Sequence, residues 1–569
     1  MKKIVLSFLF IIACSKSNIS AQYLPKNSTK EDISKAQNWV DETYKSLSQE
    51  EKLGQLFIVA LYTNKGDSHI NEVRNIVTHD KIGGLILMQD DASKEIDLVN
   101  EFQKKSKVPL MIGMDAEWGL FQRINSAYKF PWAMTLGAIQ DKDLIYKMAA
   151  KIAEDCKRMG INWDFAPVVD VNTNPNNPII GNRSFGSEVS NVTESALAYS
   201  NGLQDHNILA AIKHFPGHGD TNTDSHLDLP VVAHNLNRLN EIELAPFKAL
   251  MNKGIGGVMV AHLYVPSLES EKGIPASVSK KIITDLLKTE LGYKGLIITD
   301  ALNMGAVANK YKPGELDALA FKAGNDIMLF SQGVAEGKKL IQKAIDQGEI
   351  SPSRLEESVK KILLTKYYLG LHQYTPKNPV NVNNDINNDS HKQLVQNLYA
   401  NAITLLKDDK NLLPLKSDQT YYYVPLEEAP YQTFANQLQK KTKIIIKKAS
   451  EIASIPANSN VIVGFHKDNS SAYKPYKISQ GSKKILTQLT KKQNVILNVF
   501  GSAYALKDID ISKTSTVLIS YENNDDSMVA TANAYNGETK IWGKLPVLVN
   551  EKLKPGMGKT RETSAKTTH

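Results

Sequence analysis

Cysteine is nearly absent: Cys14 and Cys156 are the only two among 569 residues, and the first lies in an apolar leader. The mature chain therefore has no intramolecular disulfide, and its cores must hold it together unaided. A block of like charge is also missing, because 68 basic and 60 acidic residues are spread along the chain to a net +8. Nucleic-acid binders concentrate basic residues on one element, so no nucleic-acid partner is expected. After the leader, no apolar run is long enough to span a bilayer as a helix. What is plentiful is short apolar segments, in a chain that is 42% hydrophobic overall. That is enough for large cores, and the length calls for two domains or more.

The leader MKKIVLSFLFIIAC pairs two lysines with a short apolar run and reads as an export signal, residues 1–21. IIAC resembles a lipobox that would leave a lipid on Cys14, while NISAQ offers a competing cut between Ala21 and Gln22. Either route leads to the periplasm or cell envelope, or to secretion. Next, SLSQEEKLGQLF carries a capping box, Ser48 with Glu51.

From there a rhythm sets in. LFIVAL, GGLILM, PLMIGMD, INWDFAP, LAAIKH, GVMVAH, GLIITD and DIMLF are separated by helical spacers. Eight near-continuous apolar strands imply a buried parallel sheet, and eight is the number that closes a (β/α)₈ barrel, here over residues 22–372. An open doubly wound sheet is the alternative. Several runs end in reactive side chains: Asp115, Lys213 with His214, His262 and Asp300. In a parallel barrel those ends share the face that holds active sites. An Asn/Pro-rich stretch, 373–393, reads as a linker. A smaller α/β sandwich follows over 394–550, then a polar, basic tail, 551–569, expected to be disordered.

KHFPGHGDTNTDSH, residues 213–226, gathers three histidines. Metal sites use short fixed spacings on rigid elements, and His214, His218 and His226 show none. No metal is therefore assigned, although a metal-dependent hydrolase and a merely hydrogen-bonded loop stay open as alternatives. The favoured reading divides the labour. Lys213 and His214 end a strand and point into the barrel mouth as donors to a polar substrate. The glycines make the following segment pliant. Asp224 and His226, two apart, share a face, so that the carboxylate orients the imidazole as a general acid/base. Asp300 is the carboxylate positioned to act as nucleophile.

KHFPGHGDTNTDSH and LIITDALNMGAV resemble the signature segments of the β-N-acetylglucosaminidases of glycoside hydrolase family 3. IGMDAEWGLFQR, DFAPVVDVN and GNRSFGSE support this, in the family's order. The resemblance covers residues 45–372 and continues more weakly into the second domain. It implies a retaining exo-enzyme that removes terminal N-acetylglucosamine from peptidoglycan fragments or chitooligosaccharides. Asp300 would form the covalent glycosyl-enzyme, and His226 with Asp224 would serve as acid and then base. Asp115, Arg123, Arg183, Lys213 and His214 would hold the sugar. No cofactor is implied, the only partner expected is the small carbohydrate substrate, and a monomer is expected. His218 and Asp220 read as loop-shaping.

AEWG departs from the family, with Trp118 where glycine is usual. That puts the rim of the sugar pocket in doubt. A β-glucosidase, a β-xylosidase or a phosphorylase of the same family is the alternative activity, and an inactive envelope protein is a third reading.

Overall fold

The computed structural model describes residues 23–26, 28–89, 91–223 and 228–563. The leader with Cys14, and the Asp224–His226 pair, lie outside the described residues.

Each of the eight apolar runs forms a strand. β1 (Phe57–Leu61), β2 (Gly84–Leu87), β3 (Met111–Met114), β4 (Trp163–Asp164), β5 (Leu209–Phe215), β6 (Gly257–Val260), β7 (Leu296–Thr299) and β8 (Met328–Leu329) pair side by side in parallel. The order runs β7-β6-β5-β4-β3-β2-β1-β8. The two ends meet where Ile298 bridges Ile327, and the Thr299 hydroxyl accepts from the Leu329 amide at 3.0 Å. The ring is therefore a closed barrel rather than an open sheet. All residues of these strands are buried, which is why the runs read as continuous rather than alternating. Ser48 caps the helix Gln49–Gly54 in a capping box with Glu51 and delivers the chain into β1.

The second domain carries six strands: β9 (Thr404–Asp408), β10 (Thr420–Leu426), β11 (Lys443–Ile446), β12 (Asn460–His466), β13 (Asn494–Phe500) and β14 (Thr516–Ile519). Their order is β11-β10-β12-β13-β14-β9, parallel except for β9, which runs antiparallel to β14.

Buried polar contacts fix this domain on the barrel. Glu522 accepts from the Trp132 amide at 2.9 Å, the Thr135 hydroxyl at 2.8 Å and Lys129 at 2.9 Å. His391 meets Asp155 at 2.9 Å, and Asn172 donates to the Tyr504 hydroxyl at 2.8 Å. The stretch 373–393 includes a short helix, Val382–Asp385, pinned by Arg158 to the Asp385 carboxylate and the Asn378 and Val380 carbonyls.

The tail is not disordered as far as it is described. Lys559 donates to the Leu405 carbonyl at 2.7 Å, Arg561 donates to the Ile541 carbonyl at 2.8 Å, and its guanidinium pairs with buried Asp408. Its polar composition hides backbone pairing onto Leu405 of β9 and onto Ile541, which hydropathy does not register.

Candidate active site

The carboxyl ends of the strands surround a cavity of about 460 Å³. Asp115, Lys213, His214 and Asp300 line it together, as do Arg123 and Arg183 from the loops. Four strand-end residues separated by up to 185 positions therefore converge on one mouth. Among the described residues, no three His, Cys, Asp or Glu groups form a metal-holding cluster.

At the cavity floor the charges are paired. Lys213 donates to Asp115 at 2.9 Å and lies 2.9 Å from Glu117. Arg183 grips Glu117 with both arms, at 2.9 and 2.6 Å, and Arg123 pairs with Asp115. Burial would push both carboxyls up. The Arg183 and Lys213 cations outweigh it and hold Glu117 at about 2, while Lys213 and Arg123 hold Asp115 well below the usual carboxylate range. Burial would likewise strip the proton from Lys213, but Asp115 and Glu117 keep its pKa above the ordinary lysine value.

Asp300 follows β7. Its amide donates to the Val260 carbonyl at 2.9 Å, and its Oδ1 accepts from the Ala301 amide at 2.8 Å. Burial again favours the acid, yet the fields of His214 and His262, the Ala301 amide and Lys213 keep this carboxyl below its ordinary range. It is thus held as an ionised carboxylate, and among the described residues no cation pairs with it directly. His262 sits beneath, its ring between the Ser277 hydroxyl at 2.7 Å and the Ala301 carbonyl at 3.0 Å.

Three groups at the site escaped the sequence reading. Glu117 is the acidic residue of AEWG, and an odd count of cations (Arg123, Arg183 and Lys213 against Asp115) was the signal for it. Asp170 binds His214 Nδ1 at 2.7 Å and the His218 amide at 2.7 Å, orienting one imidazole and the backbone of the next. Tyr473 reaches the cavity from the second domain, and nothing in its local sequence announces that.

Trp118 lines the cavity, its ring edge-on to Trp132 with centroids 6.4 Å apart. The turn survives because the next position is still glycine. Gly119 has φ +80°, and a Cβ there would meet the Phe130 ring at 2.7 Å.

The glycines of KHFPGHGD also need another account than pliancy. A Cβ on Gly219 would lie 1.9 Å from the Val171 carbonyl oxygen, and one on Gly217 would lie 2.7 Å from Glu243. They let the loop pack flat against its neighbours. His218 bonds the Thr221 hydroxyl at 2.8 Å, and Asp220 bonds His234 at 2.8 Å, so both side chains shape the loop. Burial and the nearby His214 lower His218 to about 4, which leaves it neutral.

A second cavity of about 440 Å³ shares Ile179 and Tyr473 with the first. It lies between the 175–182 loop and residues 472–477 of the second domain. Asn177 ties its wall to the histidine loop, donating to the His218 carbonyl at 2.8 Å.

A closed parallel barrel whose strand ends bring an ionised carboxylate and paired charges into one polar cavity is the architecture of the barrel glycosidases, and the sequence match agrees. Residues 48–365 match the glycosyl hydrolase family 3 N terminal domain, and the chain belongs to that family. Over 382 residues it is 35% identical to beta-hexosaminidase A of Pseudoalteromonas piscicida, covering 61% of this chain and 63% of that one. Over 332 residues it is 32% identical to beta-hexosaminidase LpqI of Mycobacterium tuberculosis, covering 56% and 83%. A solved family 3 beta-N-acetylglucosaminidase from Paenibacillus sp. str. FPU-7 superposes with a TM-score of 0.73 at 28% identity, over 89% of this chain and 99% of that one.

Proposed function

We propose that this protein is a retaining exo-β-N-acetylglucosaminidase that removes terminal β-linked N-acetylglucosamine from peptidoglycan fragments or chitooligosaccharides. The observation that carries the reading is Asp300: an ionised carboxylate after β7 that lines the same cavity as Asp115, Glu117, Lys213 and Arg183. The likeness to the beta-hexosaminidases and to the Paenibacillus enzyme supplies the sugar.

In the first step an Asp300 oxygen attacks the anomeric carbon while the bond to the leaving oxygen breaks, and His226 gives that oxygen its proton. In the second step His226, oriented by Asp224, takes a proton from water, which displaces Asp300 with a second inversion and so restores the original configuration. Asp115 accepts from sugar hydroxyls. Arg123, Arg183, Lys213 and His214 donate to the ring. The second cavity takes the leaving portion of the substrate. The leader makes the protein an exported one, in the periplasm or cell envelope, with Cys14 as the lipid site if the lipobox is used.

The test is digestion of chitobiose and of defined muropeptides in phosphate buffer, with the product identified by mass and anomeric form. Free β-N-acetylglucosamine, seen before mutarotation, is the expected product. Sugar 1-phosphate would make the protein a phosphorylase, and release of glucose but not N-acetylglucosamine from aryl glycosides would overturn the substrate.

A further inference from the structure

Beneath the Asp115–Glu117 turn lies a third carboxyl that the chemistry above does not use. Asp164 ends β4 and is completely buried. Its Oδ1 accepts from the amide of Ala116, the residue between the two charged ones, at 3.0 Å. Its Oδ2 lies 3.3 Å from the hydroxyl of Tyr199, also buried, on the helix Val189–Gln204. That hydroxyl is closer to the Ala116 carbonyl, at 3.0 Å, and also reaches the Glu117 carbonyl at 3.3 Å.

A phenol has one proton to give. Given to an ionised Asp164 it bonds the carboxylate at 3.3 Å; given to the nearer Ala116 carbonyl at 3.0 Å it leaves the Tyr199 oxygen as an acceptor, and a protonated Asp164 then supplies the hydrogen between the two. The surroundings favour the second. Asp115 and Glu117 on the turn are both ionised and repel a third anion. Cys156, from the helix Lys142–Met159, and Tyr199 are uncharged neighbours whose own protons Asp164 helps to hold. Lys213, the Ala116 amide and a phenol proton given to the carboxyl favour the anion. Burial dominates and pushes the Asp164 carboxyl up to about 7.

We propose that Asp164, in its protonated form, is a positioning residue. It clamps the backbone that carries Asp115 and Glu117, and loss of its proton weakens sugar binding without touching the bond-breaking step. An ionised Asp164 would instead draw the Tyr199 proton away from the turn and set a third negative charge under two others. This rests on the glycosidase reading only for the choice of sugar probe.

Asparagine reproduces the neutral acid at this position, because its oxygen accepts from Ala116 and its NH₂ donates to Tyr199. The experiment measures, across pH 6–8, the affinity of wild type and Asp164→Asn for the product sugar of whichever aryl glycoside the wild type hydrolyses. If only the protonated form binds fully, wild-type affinity falls about tenfold by pH 8. Asp164→Asn should match wild type at pH 6 and stay flat. An infrared difference spectrum between the two proteins at pH 6 should show a protonated-carboxyl band in wild type only. Parallel pH curves, a tenfold weaker variant at pH 6, or no such band would each overturn the proposal. The band is independent of substrate, so a wrong sugar assignment cannot imitate its loss. If Asp164→Asn does not fold, Tyr199→Phe reads the same clamp. It should raise KM about threefold or more, the equivalent of one lost hydrogen bond, with kcat within about twofold. An unchanged KM overturns the clamp.

Discussion

Replacing Glu117 with alanine should cripple both binding and stability, although this residue neither attacks nor protonates the substrate. Its carboxyl is nearly inaccessible, takes both arms of Arg183 and sits 2.9 Å from Lys213. A carboxyl held at about 2 against an ordinary 4.5 is favoured as the anion by about 3 kcal/mol, at 1.36 kcal/mol per tenfold. That agrees in scale with the ~3–5 kcal/mol lost when one partner of a buried pair is removed. The substitution leaves Arg123, Arg183 and Lys213 facing Asp115 alone, three cations to one anion on the cavity floor. The assay is thermal unfolding beside kcat/KM on p-nitrophenyl N-acetylglucosaminide. The expected result is a lower Tm and kcat/KM reduced by about two to three orders of magnitude, chiefly through KM. Glu117→Gln should fall between, because it keeps the shape and loses the charge. The sign of the pH effect follows. A lowered carboxyl stabilises the fold fully above about 4.5, and this contribution is lost as pH falls through about 2. A Glu117→Ala enzyme with wild-type Tm and KM would refute the reasoning, because the Arg183 and Lys213 charges would then have found other partners.

Four further outcomes are expected. Asp300→Ala should cut p-nitrophenol release by about three orders of magnitude or more with the fold intact, checked by circular dichroism; near-normal turnover would remove its role as nucleophile. His226→Ala should lose most activity on poor leaving groups and least on activated aryl glycosides, and a uniform loss across a leaving-group series would contradict an acid role. Glu522→Ala strands the Trp132 amide and the Thr135 hydroxyl without their acceptor at the domain interface, so the unfolding midpoint should fall by an amount worth about 3 kcal/mol; an unchanged midpoint would show that the interface does not depend on it. Gly219→Ala, set 1.9 Å from the Val171 carbonyl oxygen, should lower kcat by displacing the loop that leads to His226, whereas a freely pliant loop would tolerate it.

Much of the architecture was legible because barrel strands advertise themselves. GLIITD and LAAIKH are apolar throughout because both faces are buried, and each stops at a charged residue because the strand end faces the cavity. The tail was misjudged for a related reason: Lys559 is ordered by backbone pairing with Leu405 and Arg561 by its ion pair with Asp408, 154 and 153 positions away, and composition does not register either. The site divides along the same line. Asp115, Lys213, His214 and Asp300 could be named because each is a local signal, a reactive side chain ending an apolar run. Glu117, Asp170 and Tyr473 could not, because each gains its role from a partner elsewhere in the chain. Asp170 matters only once β5 has brought His214 to it, and Tyr473 only once the second domain has docked.

Electrostatics also bears on why a histidine would suit the proton-transfer role in the proposed mechanism. The floor holds Asp115 and Glu117 against Arg123, Arg183 and Lys213, one positive charge in excess, which ionised Asp300 offsets. Asp300 stays ionised although buried, and does so on the fields of His214, His262 and Lys213. A carboxylic acid in the place of His226 would become an anion beside Asp115 and Glu117 once it gave up its proton, taking over the charge that Asp300 loses to the glycosyl ester. It would then need a raised pKa to be ready again, and every anion beside Asp300 works against the nucleophile's ionisation. An imidazole alternates between cation and neutral instead, so in the proposed role it adds no negative charge to the site. Replacing His226 with glutamate should therefore restore little of the activity lost in His226→Ala and should shift the acidic limb of kcat/KM upward. Full rescue with an unshifted limb would show that charge balance is not what the histidine supplies.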